Sequence, residues 1–427
     1  MTITKTFLIQ FILVVVSKFF LEYLYIFVVH PSFEYAGFKF EFDLLKYFCG
    51  WCIYILTYLI LYTKKELNIS EIYFFIFILW FLPNIVFYGL ANQNTVYFMA
   101  LSIPYIIIVL FTFQNDTFQI LKFSKGKILI LFISLSVVLL VIVNYYLTTG
   151  GKIVLNFSDV YDFRDEFGEL STSGVFGYLN NWASKIFVVV LLSWSIYKKK
   201  YLYIILSLGM IFLLFALSGH KGVLSSIFLV AFFYVLFKLN FNKYNMLLLG
   251  FLGLLSLVLL LDVLEVSMIS SLIIRRLLMV PAHLNFTYLE FFSNNEFVYW
   301  SNGILKNFFN NPYGVDIVHT IGAYLGQPDM AANTGFIASG YAHAGYLGIA
   351  IYTIITVVLF NIINQLARNN DRYFVMAIMF PIVLTLFKSS DLLTTLLTHG
   401  LFIAIITLWL FNNKNYKLKL GKYKYEI

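Results

Sequence analysis

The chain has 427 residues, of which 61% are hydrophobic and 12% are charged, and its mean hydropathy is +0.86. This composition excludes a soluble globular protein, and recurring apolar runs of about 18 or more residues are typical of membrane-spanning helices. A membrane β-barrel would instead show short segments of alternating polarity. The net charge of +8 does not indicate nucleic-acid binding, because most lysines lie in short loops between the apolar runs. The sequence predicts an all-α, polytopic membrane protein.

Twelve apolar runs are predicted to span the membrane, and residues 1–427 are predicted to form a single membrane domain. The first run is too long for a signal peptide and is followed by no good cleavage site, so it is expected to remain as a span. The tight turn KSSD joins the last two runs. The runs cover approximately residues 6–29, 43–62, 70–90, 95–113, 128–147, 179–197, 201–218, 222–238, 246–263, 336–364, 373–388 and 391–411.

Basic residues predict the orientation, because loops rich in lysine and arginine face the cytoplasm. Both termini are then expected inside, and two large loops, 148–178 and 264–335, outside. Most acids and all six histidines then fall in external loops or outer halves of spans, so the chemistry is expected at the outer face. The inward-facing residues are Lys64, Lys65, Lys122, Lys125, Lys127, Lys198, Lys199, Lys200, Lys238, Lys243, Arg368 and Arg372, with Lys414, Lys417, Lys419, Lys422 and Lys424 in the tail.

Two features inside the early spans are interpreted as structural. Cys49 and Cys52 form CGWC, but no strand precedes them and they lie within an apolar run, so they are read as small packing residues rather than a redox pair. Lys18 and Glu22 are four residues apart in the first span, and such a pair should face the interior of the bundle. A structural ion pair is favoured over a catalytic one.

The first candidate for chemistry is the stretch VYDFRDEF in loop 148–178. Tyr161, Arg164, Asp165 and Glu166 place an aromatic face, a guanidinium and two carboxylates close together. An arginine fork suits phosphate, and nearby carboxylates suit a proton or sugar hydroxyls. The alternative is a solvated loop that is charged without function. The stretch has no D-x-D pattern, so a metal-bound nucleotide sugar is not indicated.

The second candidate is LSGHKG, residues 217–222, which joins two spans with almost no loop. Its two glycines permit a tight reversal of the backbone, which would hold His220 and Lys221 at the outer mouth of the bundle. The alternative is that Lys221 simply reaches the lipid head groups.

The third candidate is SLIIRRLLMVPAHLNFTYLEFF. Pro281 should end one helix and begin another, and Arg275 and Arg276 point about 100° apart, so one of them is expected to face a site. In the second helix His283, Thr287 and Glu290 share a face, and the neighbouring Tyr288 is a candidate for binding substrate. The alternative is an amphipathic helix at the lipid surface.

The fourth candidate is AANTGFIASGYAHAGYLG, where the chain re-enters the membrane. Small residues surround Asn333, Tyr341 and His343, which are candidates for binding substrate or, for His343, for catalysis. The alternative is that the small residues serve close helix packing and that His343 is a lone satisfied histidine.

These four stretches, in this order over about the last two thirds of the chain, resemble the Wzy-type O-antigen polymerases, which join oligosaccharide repeat units. The chain departs from the spacing of some members, because Val175 stands where a glycine would follow Arg164. The resemblance implies a helical bundle similar to GT-C glycosyltransferases and O-antigen ligases. It implies no metal and no other cofactor.

The resemblance also implies the reaction. A growing glycan on undecaprenyl pyrophosphate is transferred to a new lipid-linked repeat unit at the outer face of the bacterial cytoplasmic membrane, and undecaprenyl pyrophosphate leaves. Membrane lipids surround the site, and a chain-length regulator protein is suggested as a partner. The rivals are an O-antigen ligase and a lipid-oligosaccharide flippase or transporter, whose ionisable groups would lie mid-membrane on broken helices.

Roles for the residues follow from this chemistry. Arg164, with Arg275 or Arg276, is expected to stabilise the leaving pyrophosphate. The general base remains open among five residues. Glu290 oriented by His283 is favoured, because partial burial at the bilayer edge would make Glu290 a stronger base. The other candidates are Asp165, Glu166 and His343.

Overall fold

A computed structural model describes most of the chain, and its fold is a polytopic bundle of α-helices. The described residues are 5–114, 123–156, 158–171, 174–239, 241–266, 271–301, 307–412, 417–420 and 423–426. Within them, ten helices are long and apolar enough to cross a membrane. The predicted fold class and multi-pass membrane character are therefore confirmed. Lys122, Lys414 and Lys422, which were predicted to face the cytoplasm, lie outside the described residues.

The count of ten is two fewer than the twelve predicted spans. The run at 95–113 forms a helix of only 16 residues, Thr95–Leu110, and the run at 373–388 forms one of 17 residues, Arg372–Lys388. Both are shorter than the other spans because a break or a turn ends them early. The ten are Lys5–Ala36, Leu44–Thr63, Ser70–Leu90, Gly126–Thr148, Phe176–Tyr197, Tyr201–Ser218, Lys221–Lys238, Lys243–Val263, Phe336–Ala367 and Leu392–Leu410.

The chain divides into two compact units. Unit 1 comprises Met1–Phe113, Phe241–Phe360 and Leu384–Leu392, and unit 2 comprises Gln114–Asn240, Asn361–Val383 and Leu393–Ile427. Three helices continue from one unit into the other along the sequence. The single domain predicted for residues 1–427 stays a prediction.

Unit 1 is organised around the span Ser70–Leu90, which is almost entirely buried within the protein. Its other described helical segments are four further α-helices, one 3-10 helix and three π-helices, and π-helices mark places where the regular hydrogen-bond ladder is interrupted. Besides the spans given above, the segments of unit 1 are the π-helices Tyr25–Val29, Phe77–Phe81 and Ser271–Met279, the 3-10 helix Glu34–Ala36, and the helices His30–Phe33, Thr95–Leu110, Val280–Asn294 and Ile317–Tyr324.

The contacts of helix Thr95–Leu110 show how far it reaches in unit 1. Near its start, Lys46 Nζ donates to the carbonyl of Asn92 (3.0 Å). At its end, Lys64 Nζ donates to the carbonyl of Leu110 (2.7 Å). Lys46 and Lys64 lie at opposite ends of the span Leu44–Thr63. The 16-residue helix therefore runs alongside a full span from one end to the other.

Unit 2 gathers the ends of several spans on one side. The Gly126 backbone lies against the carbonyl of Leu410, and Lys127 Nζ lies 4.4 Å from the Phe411 ring centroid. Tyr373 Oη donates to the carbonyl of Ser193 (2.7 Å). The additional segments of unit 2 are helix Val160–Ser171, the π-helix Ala183–Phe187 within the span Phe176–Tyr197, and a hairpin of antiparallel strands Lys417–Leu420 and Tyr423–Glu426.

The predicted pairing of Lys18 with Glu22 is confirmed. Both side chains are buried in unit 1 and form an ion pair within the first span. The second span surrounds the pair with aromatic groups: Lys18 Nζ lies 4.1 Å from the Trp51 ring centroid, and Tyr47 Oη donates to Glu22 (3.3 Å). The pair is thus satisfied by a neighbouring span rather than by water.

Candidate functional site

The stretch VYDFRDEF forms part of a helix, Val160–Ser171, rather than an irregular loop. We call it the acidic helix. Val160 is buried and Phe163 is partly buried, and both pack against Val154 and Phe215. These apolar residues anchor one face of the helix in unit 2. The candidate residues Tyr161, Arg164, Asp165 and Glu166 are exposed on this helix.

The turn of LSGHKG packs directly against the acidic helix, so the first two candidate stretches meet in unit 2. Gly219 adopts a φ of +67°, and a Cβ at this position would lie 3.1 Å from Arg164 Cγ. A glycine is needed there both for the left-handed backbone and for the close approach. Lys221 Nζ lies 4.8 Å from the Tyr161 ring centroid.

His220 is neutral at neutral pH because its surroundings disfavour the charged form. Burial, with the positive charges of Arg164 and Lys185, lowers the pKa of His220 to about 4. His220 therefore interacts with a cation of the acidic helix, Arg164, and with a cation of the span Phe176–Tyr197, Lys185. A neutral imidazole can donate and accept hydrogen bonds without adding charge.

Two residues of this site were not among the predicted candidates, namely Lys185 and His399. Lys185 Nζ lies 2.8 Å from His399 Nδ1, although 214 positions separate the two residues in sequence. Each lies in an apolar span at a local irregularity of the backbone. Lys185 belongs to the π-helix Ala183–Phe187, and His399 precedes Gly400, whose φ of +79° breaks the span Leu392–Leu410.

The Glu166 carboxylate of the acidic helix pairs with a lysine outside this site. Glu166 Oε1 accepts a hydrogen bond from Lys152 Nζ (2.8 Å) in an exposed ion pair. In the part of the chain that the structure describes, no carboxylate lies within salt-bridge distance of Arg164, Lys185 or His399. Unit 2 therefore holds a group of nitrogen bases and cations, which we call the basic cluster: Arg164, Lys185, His220, Lys221 and His399.

Substituting Gly219 with alanine should displace Arg164. The positive φ alone costs a residue with a Cβ about 1–2 kcal/mol, and the Cβ would also press on Arg164. We expect a lower melting temperature and a loss of ligand binding by the basic cluster. Gly222→Ala is the matched control, because its Cβ would meet no atom within 4 Å. Equal melting curves for the two variants would contradict this account.

The candidate histidine of unit 1, His343, lies in a hydrogen-bonded network. Its Nε2 lies 3.1 Å from Asp391 Oδ2, and its Nδ1 accepts from the backbone N–H of Trp300 (3.2 Å). The accepted bond places the ring proton on Nε2, which donates to Asp391. Asp391 Oδ2 also accepts from Ser339 Oγ (3.1 Å) and Tyr352 Oη (2.8 Å).

This network accounts for both nitrogens of His343, so the lone pair that a general base needs is already engaged. Its partner Asp391 was not among the predicted residues, although the KSSD turn that carries it was noted. The network lies beside a break in helix Phe336–Ala367, where Ala344 and Gly345 leave the helical conformation. Holding this break in place is the role that the geometry supports for His343.

The two candidate arginines of unit 1 differ in exposure. Arg275 is partly buried and stacks over Phe33, with its guanidinium carbon 4.7 Å from the ring centroid. Its Nε is buried and has no hydrogen-bond partner among the described residues. Arg276 is exposed. Of the two, Arg275 is the one that points into unit 1.

Glu290 is favoured as the base on the premise that it is partly buried at the bilayer edge, and the protein itself does not bury it. Its side chain is exposed, although Thr287 on the same helical face of Val280–Asn294 is buried. His283 instead packs against the rings of Phe38 and Phe87, and burial lowers the pKa of His283 to about 4. Among the described contacts, none joins His283 to Glu290.

The remaining candidates of the third and fourth stretches, Tyr288, Asn333 and Tyr341, all lie in unit 1. Tyr288 is buried and its Oη donates to the carbonyl of Ala332 (2.7 Å), which is a structural contact. Tyr341 is buried against Phe297, whereas Asn333 is exposed. Asn333 alone of these three is open to a ligand.

The candidate side chains thus form two groups of different character. The basic cluster of unit 2 is rich in cations, and the network of unit 1 is a satisfied set of hydrogen bonds around Asp391. Charge of this kind suits an anionic ligand, and a satisfied network suits a structural role. Comparison with known proteins gave no relative: no protein-family model, curated protein or solved structure matches this chain.

Proposed function

We propose that the chain is a polysaccharide polymerase of the bacterial cytoplasmic membrane. It transfers a growing undecaprenyl-pyrophosphate-linked glycan onto a new lipid-linked repeat unit and releases undecaprenyl pyrophosphate. The resemblance of its four candidate stretches to Wzy-type polymerases supports the reaction. Its partners are the two lipid-linked oligosaccharides, the surrounding lipids and a chain-length regulator protein.

The observation that carries the proposal is the packing of the acidic helix against the glycine turn. It brings Arg164, His220 and Lys221 together on one side of the acidic helix. When the glycosidic bond breaks, the bonding electrons move to the oxygen of the leaving pyrophosphate. Cations fixed beside that oxygen stabilise its developing charge more in the transition state than in the ground state.

The acceptor hydroxyl must also lose a proton to a base within hydrogen-bond reach. Asp165 is an exposed carboxylate next to Arg164 on the acidic helix, and it is our preferred candidate for the base in unit 2. Glu166 is occupied by Lys152. Glu290 stays a candidate despite its exposure, so Asp165→Asn and Glu290→Gln belong in the same assay. The substitution that removes polymerisation while leaving substrate binding intact identifies the base.

We propose twelve crossings, with both termini in the cytoplasm and the basic cluster at the outer face. The basic loops around Lys64 and Lys127 are expected on the same, cytoplasmic side of the membrane. An even number of crossings must then separate them. Because Ser70–Leu90 is one crossing, Thr95–Leu110 must be the second. Its contacts with Lys46 and Lys64 support this crossing. By the same reasoning Arg372–Lys388 crosses before the last span.

Cysteine labelling tests this orientation. The starting variant has serine in place of Cys49 and Cys52. In this variant, Ser158→Cys should react with a membrane-impermeant maleimide in spheroplasts whose cytoplasmic membrane is intact. Lys200→Cys should react only after the membrane is opened. Both positions are exposed and flank the span Phe176–Tyr197. Identical labelling of the two would overturn the orientation and the outer location of the site.

The decisive test of function uses the purified full-length chain with lipid-linked repeat units in vesicles. A polymerase should convert single units to a ladder of longer glycans, resolved by gel electrophoresis. An O-antigen ligase would leave the units unpolymerised but move them to a different acceptor. A product pool that stays at one unit per lipid, with no transfer to any acceptor, would refute the proposal.

A flippase is the second candidate, and one observation favours it. Transporters place ionisable groups within the membrane on broken helices, and Lys185 and His399 lie at such irregularities inside two spans. The same vesicles decide between the two functions. Movement of lipid-linked units across the bilayer without a change in glycan length would indicate the flippase.

A further inference from the structure

Lys185 and His399 form a contact whose geometry fixes the direction of the histidine. A lysine ammonium carries only donors, so Lys185 donates to His399 Nδ1 across the 2.8 Å separation. The remaining proton of the imidazole then lies on Nε2. No described residue accepts a hydrogen bond from that Nε2, so His399 presents an unused donor.

The setting of this pair is unfavourable without an anion. Lys185 lies about 14 Å along the helix from Phe176, within an apolar span. A cation in hydrocarbon surroundings is costly unless an opposite charge or a polar cavity compensates it. Among the described residues, no carboxylate lies within salt-bridge distance of Lys185.

The backbone around the pair is irregular on both sides. Lys185 is part of a π-helix, and π-helical turns are frequent at functional sites. His399 sits at the break before Gly400, and Trp182 Nε1 donates to the exposed carbonyl of Leu397 (2.8 Å). Irregular backbone inside a membrane is tolerated where it borders protein or a polar cavity. The two irregularities meet at the contact between Lys185 and His399.

We propose that Lys185 and His399 bind the lipid-proximal phosphate of a prenyl pyrophosphate, below the part of the basic cluster that holds the terminal phosphate. This inference rests on the proposed function for its ligand class. The prenyl chain enters the bilayer, so the phosphate attached to it lies deeper than the second phosphate. Lys185 lies inside a span, whereas Arg164 is exposed on the acidic helix, and His220 interacts with both.

The experiment compares two soluble lipids that differ by one phosphate. Full-length chain in nanodiscs of neutral phosphatidylcholine is titrated with farnesyl monophosphate and with farnesyl pyrophosphate. Lys185→Met and His399→Asn should each weaken both ligands by about tenfold or more, the effect of losing one charge-assisted hydrogen bond. Arg164→Ala should weaken the pyrophosphate to a similar extent and leave the monophosphate within about twofold.

Lys198→Met is the matched control, since it removes the same charge from the end of the same span and should bind both lipids normally. In His399→Asn, asparagine keeps an acceptor for Lys185 but removes the Nε2 donor. If this variant binds farnesyl monophosphate with wild-type affinity, the proposal is overturned. This holds even if Lys185→Met proves too unstable to measure. A further outcome is that phosphatidylglycerol displaces farnesyl monophosphate from the wild type but not from Lys185→Met. The site would then bind phospholipid head groups, and the prenyl assignment would be overturned.

The outcomes separate this inference from the proposed function. Binding that depends on Lys185 in a protein that forms no polymer would retain the phosphate site and reject the polymerase. Polymer formation with unchanged farnesyl monophosphate affinity in both variants would retain the polymerase and reject the site.

Discussion

Replacing Arg164 with lysine is expected to slow polymer formation by about 100-fold, although the positive charge is kept. An arginine guanidinium offers donors in a planar fork that can contact two phosphate oxygens at once, whereas a lysine ammonium acts as a single point charge. Losing one preorganised donor to a developing oxyanion commonly costs a factor of this size. The aliphatic stem that packs on Gly219 is retained, so the fold should be unchanged.

The measurement is the initial rate of glycan elongation by purified chain in vesicles, together with a melting curve for each variant. Arg368→Lys is the matched control, because Arg368 is also an exposed arginine of unit 2 and belongs to the predicted cytoplasmic set. A wild-type rate in Arg164→Lys would mean that Arg164 is a surface charge without a role in the reaction.

Asp391→Ala should produce the largest loss of stability. It removes the acceptor for three donors of unit 1, namely His343, Ser339 and Tyr352. A buried donor left without a partner costs about 1–3 kcal/mol. Because the aspartate side chain is 21% exposed, water can replace part of these bonds, so we expect a total loss of about 2–4 kcal/mol.

Thermal or denaturant melting of the full chain in detergent measures this loss. Asp329→Ala provides the comparison, since Asp329 is exposed in the same unit and has no hydrogen bond to its side chain among the described contacts. If Asp391→Ala and Asp329→Ala have the same melting temperature, the network around Asp391 does not stabilise the broken helix Phe336–Ala367. Asp391→Asn should fall between wild type and Asp391→Ala, because an amide oxygen still accepts.

Composition and hydropathy were enough to predict the membrane bundle, because each span carries its own apolar signal. The predicted run 222–238 differs from the observed span Lys221–Lys238 by one residue. Hydropathy cannot, however, distinguish a helix that faces lipid from one that is enclosed by protein. The span Ser70–Leu90 is nearly fully buried, yet its mean hydropathy of 1.9 is close to the 1.7 of the much more exposed span Leu44–Thr63.

The acidic helix could have been recognised from its sequence. Val160, Phe163 and Phe167 are spaced as one face of a helix would require, and this apolar face was overlooked beside the charged residues. The pairing of the acidic helix with the turn at Gly219 was not predictable in this way. It depends on a close approach that only the folded chain shows.

The Lys185–His399 contact and the Asp391 network were missed for a different reason. Their members are separated by 214 and by 39 to 52 positions, so no local pattern joins them. Each residue alone is a single polar group in or beside an apolar run. Conversely, a helical pattern places Glu290 on one face with Thr287, but only Thr287 is buried, so a shared face does not predict burial along its whole length.

The buried pair of Lys18 and Glu22 bears on how the protein enters the membrane. On its own, the first span would carry both groups into lipid with only each other as partners, which is costly even for an ion pair. Trp51 and Tyr47 supply the missing contacts, and both belong to the next span. Insertion of the first span is therefore more favourable when it enters as a hairpin with the second, so we expect the two spans to insert into the bilayer together.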